Sequence, residues 1–351
     1  MREGHINLYS DTQSRPSLAM RQAMLDAPIG DEQKGLDESV NQLCRRVADL
    51  LGMEDAVFLP SGTMCNEIAL LVHCKPGDEI YTDKSSHILN FEAGGPAALA
   101  GAIIYPVAGA HGIFSAETLS NTIRIPNRYS PTPALVSIEQ TANLGGGRVW
   151  PLETIREVSA VAKSRGLLLH MDGARLMNAV VASGVSATEY CAGFDSAWID
   201  LSKGLGCPFG GVLAGSKAFI AEAWRWKQRI GGAMRQAGMM AAAGLYALDH
   251  NLEQLHQDHQ NAKKLAEHIA THPNIALDPA AVETNIVLFD LVGTDATGAA
   301  LVAKLENDGI NIGAFGAQRL RAVTHLDVSE ADVEESAEKI IQAVTTLCAA
   351  S

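Results

Sequence analysis

Two short apolar runs constrain the fold of this chain more than any other feature. Leu167-Leu168-Leu169-His170-Met171 stops at Asp172-Gly173-Ala174-Arg175, and Ser196-Ala197-Trp198-Ile199 stops at Asp200-Leu201-Ser202-Lys203. Runs this short and this continuous suit strands covered on both faces, as in a parallel sheet flanked by helices. The stretch between Asp172 and Lys203 is long enough for one crossover helix, so both runs deliver their ends to the same rim. That rim receives a carboxylate and an amine. Gly204, Gly206, Gly210 and Gly211 follow the lysine and make a small-residue loop around it.

The same alternation extends over much of the chain. Strands are expected at 56–60, 79–82, 102–107, 134–139 and 211–215, which with the two runs above makes seven. Helices fall between most of them, with 152–164 the clearest, so the class is α/β with a mainly parallel sheet. Val40, Leu43, Val47, Leu50 and Leu51 mark an amphipathic helix ahead of the first strand. Residues 1–35 read as an arm with a short helix at 17–26 and a glycine-punctuated loop at 30–35. Beyond Gly215, helical stretches at 217–228 and 234–272 follow, the second broken between Asn251 and Asn261. From Ile275 an α+β pattern begins, with strands at 283–291 and 320–325 and helices near 297–308 and 330–347. The expected division is an arm (1–35), a large domain (36–245) and a small C-terminal domain (246–351).

A net charge of −13 argues against nucleic acid or an anionic membrane as partner, and a 47% hydrophobic content supplies ample core. The six cysteines show no C-x-x-C pairing, which fits a reducing cytoplasm. Met1-Arg2-Glu3-Gly4-His5 opens into polar residues rather than a signal peptide, and no apolar run reaches the roughly 20 residues of a membrane helix. His256 and His259 read as residues of an exposed polar helix, and no metal site is expected.

A carboxylate and an amine on one rim are what pyridoxal phosphate requires. The lysine binds the cofactor's aldehyde carbon as a Schiff base, and the acid keeps the ring nitrogen protonated. Ser61-Gly62-Thr63, directly after the first strand and at a helix start, presents backbone N–H groups to an anion such as its phosphate. Neither a G-x-G-x-x-G pattern nor a G-x-x-x-x-G-K-[ST] loop is present.

These stretches, taken with others, resemble the threonine aldolases, pyridoxal-phosphate enzymes with the type I, aspartate-aminotransferase fold. The markers are Ser10-Asp11-Thr12; Gly30-Asp31-Glu32; Pro60-Ser61-Gly62-Thr63-Met64; Ser86-His87-Ile88 with Glu92; Gly145-Gly146-Gly147; His170-Met171-Asp172-Gly173-Ala174-Arg175-Leu176; Ser202-Lys203-Gly204-Leu205-Gly206; Gly231-Gly232-Ala233-Met234-Arg235-Gln236; and Arg321-Ala322-Val323-Thr324-His325. The resemblance implies Lys203, His87 and Asp172 as catalytic residues, with His87 stacked on the cofactor. It implies Gly62, Thr63 and Arg235 around the phosphate, and Ser10, Arg175 and Arg321 on the substrate carboxylate. It further implies cleavage of an L-β-hydroxy-α-amino acid, such as threonine or allo-threonine, to glycine and an aldehyde, by a homodimer or homotetramer.

Three positions depart from the family pattern, one of them Glu38, where a proline is usual. Ala142, in Glu139-Gln140-Thr141-Ala142-Asn143, stands where a histidine is usual, and Lys34 stands where a tyrosine is usual. These departures keep three alternatives open. One is a β-eliminating lyase or aminotransferase, and another is an aldolase preferring 3-hydroxyaspartate or phenylserine. The third is a protein that binds the cofactor or a partner without catalysis.

Overall fold

A computed structural model describes residues 5–349. Met1–Gly4, on which the reading of the N-terminus as free of a signal peptide rested, lie outside the described residues. After a two-residue strand β1 (Ile6–Asn7), one sheet is built from β2 (Asp55–Leu59), β3 (Asp78–Asp83), β4 (Ile103–Val107), β5 (Thr132–Glu139), β6 (Leu168–Asp172), β7 (Ser196–Asp200) and β8 (Gly211–Gly215). Their order is β2-β8-β7-β6-β5-β3-β4. Only β8 runs against its neighbours, so β2 again points the same way as β7. This is the mainly parallel seven-stranded sheet expected from the apolar runs. The carboxyl ends of β2, β3, β5, β6 and β7 therefore share a rim, where ligands of such sheets bind. Four of those strands end in an acid: Asp83, Glu139, Asp172 and Asp200.

Helices cover both faces, and strand alternation shows how. Ala56 and Phe58 of β2 join one core, while Val57 and Leu59 join another. The first core takes α1 (Leu18–Leu25), α2 (Glu38–Leu51), α6 (Leu152–Ser164), α7 (Leu176–Ser183), α8 (Ala187–Cys191) and α10 (Gly238–His250). The second takes α3 (Gly62–His73) and α9 (Lys217–Arg229). Short helices α4 (His87–Asn90) and α5 (Ala116–Thr122) lie in the connections after β3 and β4. The sequence dictates α2 clearly: Asp37 caps the Val40 amide, Val40, Leu43, Val47 and Leu51 are buried, and Gly52 ends it at φ +67°.

The break expected after Asn251 falls at 251–253, between α10 and α11 (Gln254–Ile269). A second sheet follows, ordered β12-β13-β10-β9, from β9 (Ile275–Ala276), β10 (Ile286–Leu291), β12 (Gly313–Ala314) and β13 (Arg319–Val323). With α11, α12 (Gly298–Asn307) and α13 (Glu330–Ala349) it forms a separate core. Within the arm, β1 pairs with β11 (Ile310–Asn311) and Leu8 is buried in the C-terminal core. One feature differs from the sequence reading: α11 is not an exposed polar helix, because Leu255, Asn261 and Leu265 are buried and His259 Nε2 accepts from Asn178 Nδ2 at 3.1 Å. Among the described residues, no helix is long and apolar enough to cross a membrane.

Candidate active site

Lys203 sits in the loop after β7, its side chain only 15% exposed and ion-paired with Asp200. The other Asp200 oxygen accepts from the backbone N–H and hydroxyl of Ser202, which anchors the loop to the strand end. One strand over, Asp172 is buried. Its Oδ1 accepts from the Ala174 amide at 3.1 Å and its Oδ2 from Asn66 Nδ2 at 2.8 Å. Burial raises its pKa, with Glu92 adding to this, against the opposing pull of His87, Asn66 and Lys203. A buried carboxylate so placed gains from a cationic partner.

The residues expected at a substrate carboxylate divide into two kinds. Arg175 is already committed: Nε and Nη2 donate to Oδ2 and Oδ1 of buried Asp11, both at 2.7 Å. This fork outweighs the burial of both groups, raising Arg175 and lowering Asp11. Arg321, on β13, is different. It is buried, donates to Asn143 Oδ1 at 2.7 Å and to the Tyr9 carbonyl at 3.3 Å, and its Nε has no partner among the described residues. Burial and then the nearby Arg175 lower it to about 10. Among the described residues it has no ion pair with a carboxylate. Ser10, which follows Tyr9 in sequence, is buried, with Oγ 2.8 Å from the Thr12 hydroxyl.

His87 opens α4. Its Nδ1 donates to Glu92 Oε1 at 2.9 Å, and its backbone N–H is held by Glu139. Burial would lower the ring, but the Glu92 hydrogen bond and the charges of Asp172, Glu92 and Glu139 raise it on balance. Glu92 in turn meets Glu67, whose two oxygens have no donor partner among the described residues. Two carboxyls in contact share a proton, and burial followed by Glu92 pushes Glu67 up to about 8. The folded chain therefore holds a proton that an unfolded Glu67, near its ordinary value of 4.5, has lost. Stability from this proton is complete below that value and is lost as pH rises through 8. Urea unfolding of wild type should weaken by up to about 2 kcal/mol between pH 6.5 and 8 relative to Glu67→Gln, whose amide needs no proton to meet Glu92. Parallel pH profiles would refute the shared proton.

At the start of α3, Ser61 Oγ caps the Met64 amide, leaving the Gly62 and Thr63 amides at the helix terminus. A side chain at Gly62 would collide with Trp198 at 2.3 Å and lie 3.0 Å from Asp200 Oδ2, so this terminus faces the Lys203 rim and only glycine fits. The chain does not bring every expected residue there. The Arg235 side chain is 65% exposed and pairs with Asp31 at 3.6 Å. Lys34 is exposed at the end of a turn whose Glu32 is bonded to Lys227 and Met234. Ala142 is buried, with its methyl packed against Gly112 and Gly145, where added β-carbons would lie at 2.6 and 3.0 Å.

An amine, a buried carboxylate, a helix terminus with free amides and an unpaired guanidinium form the donor set that pyridoxal phosphate and an amino acid require. The residues fit the group. Sequence reasoning missed Asp11, Asn66, Glu67 and Glu139 as members of the site. Asn66 and Glu67 did carry a signal: two adjacent polar residues inside the apolar stretch from Cys65 to Leu71.

Residues 7–291 match the model of the beta-eliminating lyase family. The chain is 42% identical over 336 residues to the low specificity L-threonine aldolase of Escherichia coli K12, covering 95% of this chain and 97% of that one. It is 38% identical to low-specificity L-threonine aldolase 1 of Arabidopsis thaliana, covering 97% of each. Among solved structures, a Leishmania major threonine aldolase superposes with a TM-score of 0.82 at 20% identity, over 96% of this chain and 99% of that one. A Sphingomonas wittichii serine palmitoyltransferase shares the fold with a TM-score of 0.77 at 20% identity, over 98% and 88%. Full-length identity near 40% over a rim built this way has one meaning: the chain belongs to the threonine aldolases of the beta-eliminating lyase family.

Proposed function

We propose that the protein is a pyridoxal-phosphate-dependent aldolase that cleaves L-threonine, L-allo-threonine or a related L-β-hydroxy-α-amino acid to glycine and an aldehyde. The observation that carries this reading is the conjunction of Lys203 and Asp172 on one rim with an Arg321 that reaches Asn143, just beyond β5, and pairs with no carboxylate among the described residues. Pyridoxal phosphate, when bound, supplies the electron sink for the pair released as Cα–Cβ breaks. Lys203 would hold its aldehyde carbon, Asp172 would pair with the ring nitrogen, and the Gly62 and Thr63 amides would receive the phosphate. His87 would stack on the ring, and with Nδ1 held by Glu92 its Nε2 would be the atom that takes the β-hydroxyl proton. Arg321 fixes the substrate carboxylate, aided by Ser10 and by the Nη1 edge of Arg175 that Asp11 leaves open. Holding the carboxylate sets which Cα bond is aligned for cleavage.

The close packing of Ala142 and the exposure of Lys34 favour an ordinary β-substituent over an acidic one. Arg235 reaches a phosphate only from a neighbouring subunit or after leaving Asp31. Exposed Leu18, Leu25, Ile29 and Leu36 on the N-terminal segment support a homodimer or a tetramer of dimers. Six free cysteines support a cytoplasmic location. The test is incubation of the cofactor-loaded protein with threonine, allo-threonine, phenylserine, serine and 3-hydroxyaspartate, alongside sedimentation. Glycine plus aldehyde from a dimer or tetramer is expected. Ammonia plus keto acid would replace this reading with an eliminating lyase, and an active monomer would remove the subunit assignment.

A further inference from the structure

Between α3 and strands β6 and β7 lies a series of hydrogen bonds in which every proton can be located by elimination. Trp198 Nε1 is 2.7 Å from Asn66 Oδ1. An indole nitrogen only donates, so the amide oxygen faces it and the amide protons point elsewhere. They meet Asp172 Oδ2 at 2.8 Å and Glu92 Oε1 at 2.7 Å. The remaining lone pair of Asn66 Oδ1 meets His170 Nε2 at 3.1 Å, which makes that nitrogen the protonated one. His170 Nδ1 is then an acceptor, and the Ser196 hydroxyl, 2.8 Å away, donates to it. With its one proton so placed, Ser196 accepts from His73 Nε2 at 2.7 Å. Burial lowers both rings, His170 to about 3 with His73 adding to this, and His73 to about 4, so both are neutral at neutral pH. The series starts at half-buried His73, stacked on Phe219 at 4.7 Å, and each donor points toward Asp172.

We propose that Asn66 is a positioning residue for the cofactor's ring nitrogen, its amide locked by Trp198 and by the His73–Ser196–His170 series so that both protons serve Asp172 and Glu92. This rests on the reading of Asp172 as the partner of that nitrogen. A donor to the charged form keeps a buried carboxylate ionised against the cost of desolvation. Because one amide serves two acids, it also links Asp172 to the carboxylate holding His87. An amide does not relay protons as a hydroxyl does, so the series orients and does not conduct.

The test uses Asn66→Asp, which keeps the oxygen for Trp198 and His170 and removes the paired donors, and Ser196→Ala, which interrupts the series without touching Asp172. In cofactor-free wild type labelled with ¹⁵N in its imidazoles, His73 and His170 should both be neutral Nε2–H tautomers from pH 7 to 5. Asn66→Asp should raise the Kd for pyridoxal phosphate about tenfold or more and shift the pH midpoint of the bound cofactor's absorbance by about one unit. Ser196→Ala should mix the His170 tautomers and raise the Kd about threefold. If wild type binds the cofactor and both variants match it in Kd and in absorbance titration, the inference fails alone. If His170 is the Nδ1–H tautomer, the proton assignment fails and the inference with it. A wild type that does not bind pyridoxal phosphate overturns the reading of the site together with this inference.

Discussion

Lys203→Ala should abolish turnover, with kcat falling by at least about 10⁴-fold, and should leave the cofactor-loaded protein without the visible absorbance of a lysine-linked pyridoxal. No second amine replaces it, because Lys227, which is also buried, is bonded to Glu32 in the loop after α1. The substitution spares the fold. Among the described residues Lys203 has one ion pair, with Asp200, and that carboxylate keeps two hydrogen bonds from Ser202. Stopped-flow absorbance and a glycine assay on the same preparation give the readout. Retention of more than about 1% of wild-type kcat would mean that the cofactor is attached elsewhere.

The second large effect separates two arginines that look alike in the sequence. Arg321→Leu should lower kcat/KM by about 10²–10³-fold, mostly through KM, if this buried guanidinium, which pairs with no carboxylate among the described residues, holds the substrate's as proposed. Arg321→Lys should recover only part of this, since an ammonium cannot form the fork. Arg175→Leu should behave differently. It strands buried Asp11, whose charge is then uncompensated, so the main loss should be about 3–5 kcal/mol of stability. Kinetics and thermal unfolding of the three variants decide it. Equal kinetic losses with unchanged stability at both arginines would show that Arg175 is as available to substrate as Arg321.

The large sheet was legible because its strands are continuous apolar runs, and Asp172 and Lys203 stood out because polar residues end those runs. Asn66 and Glu67 were hidden by the opposite circumstance. They sit inside an apolar helical stretch, where helical spacing marks a buried face but not what that face meets. The commitment of Arg175 to Asp11 was out of reach for another reason: the two lie 164 positions apart and no local pattern couples them. Strand β1 is two residues long and pairs with a segment some 300 positions later, so periodicity had nothing to register. Arg235, carried over from the motif as a phosphate ligand, meets Asp31 within this chain. A shared motif fixes neither a side chain's rotamer nor the subunit whose site it serves.

The docking of the N-terminal segment sets an order of assembly during synthesis. Leu8 N–H bonds to Asn311, the Leu8 carbonyl accepts from Val323, and the Asn7 carbonyl meets His325. Asp11 waits for both Arg175 and Asn285. Residues 7 and 8 thus leave the ribosome more than 300 positions before these partners, and the long loops must close before the contacts form. The sheet, Lys203 and Asp172 can be in place while the segment bearing Ser10 and Asp11 still hangs free. A nascent chain halted before about residue 325 should hold a folded sheet and lack the proposed carboxylate clamp, which is completed long after Lys203 has been made.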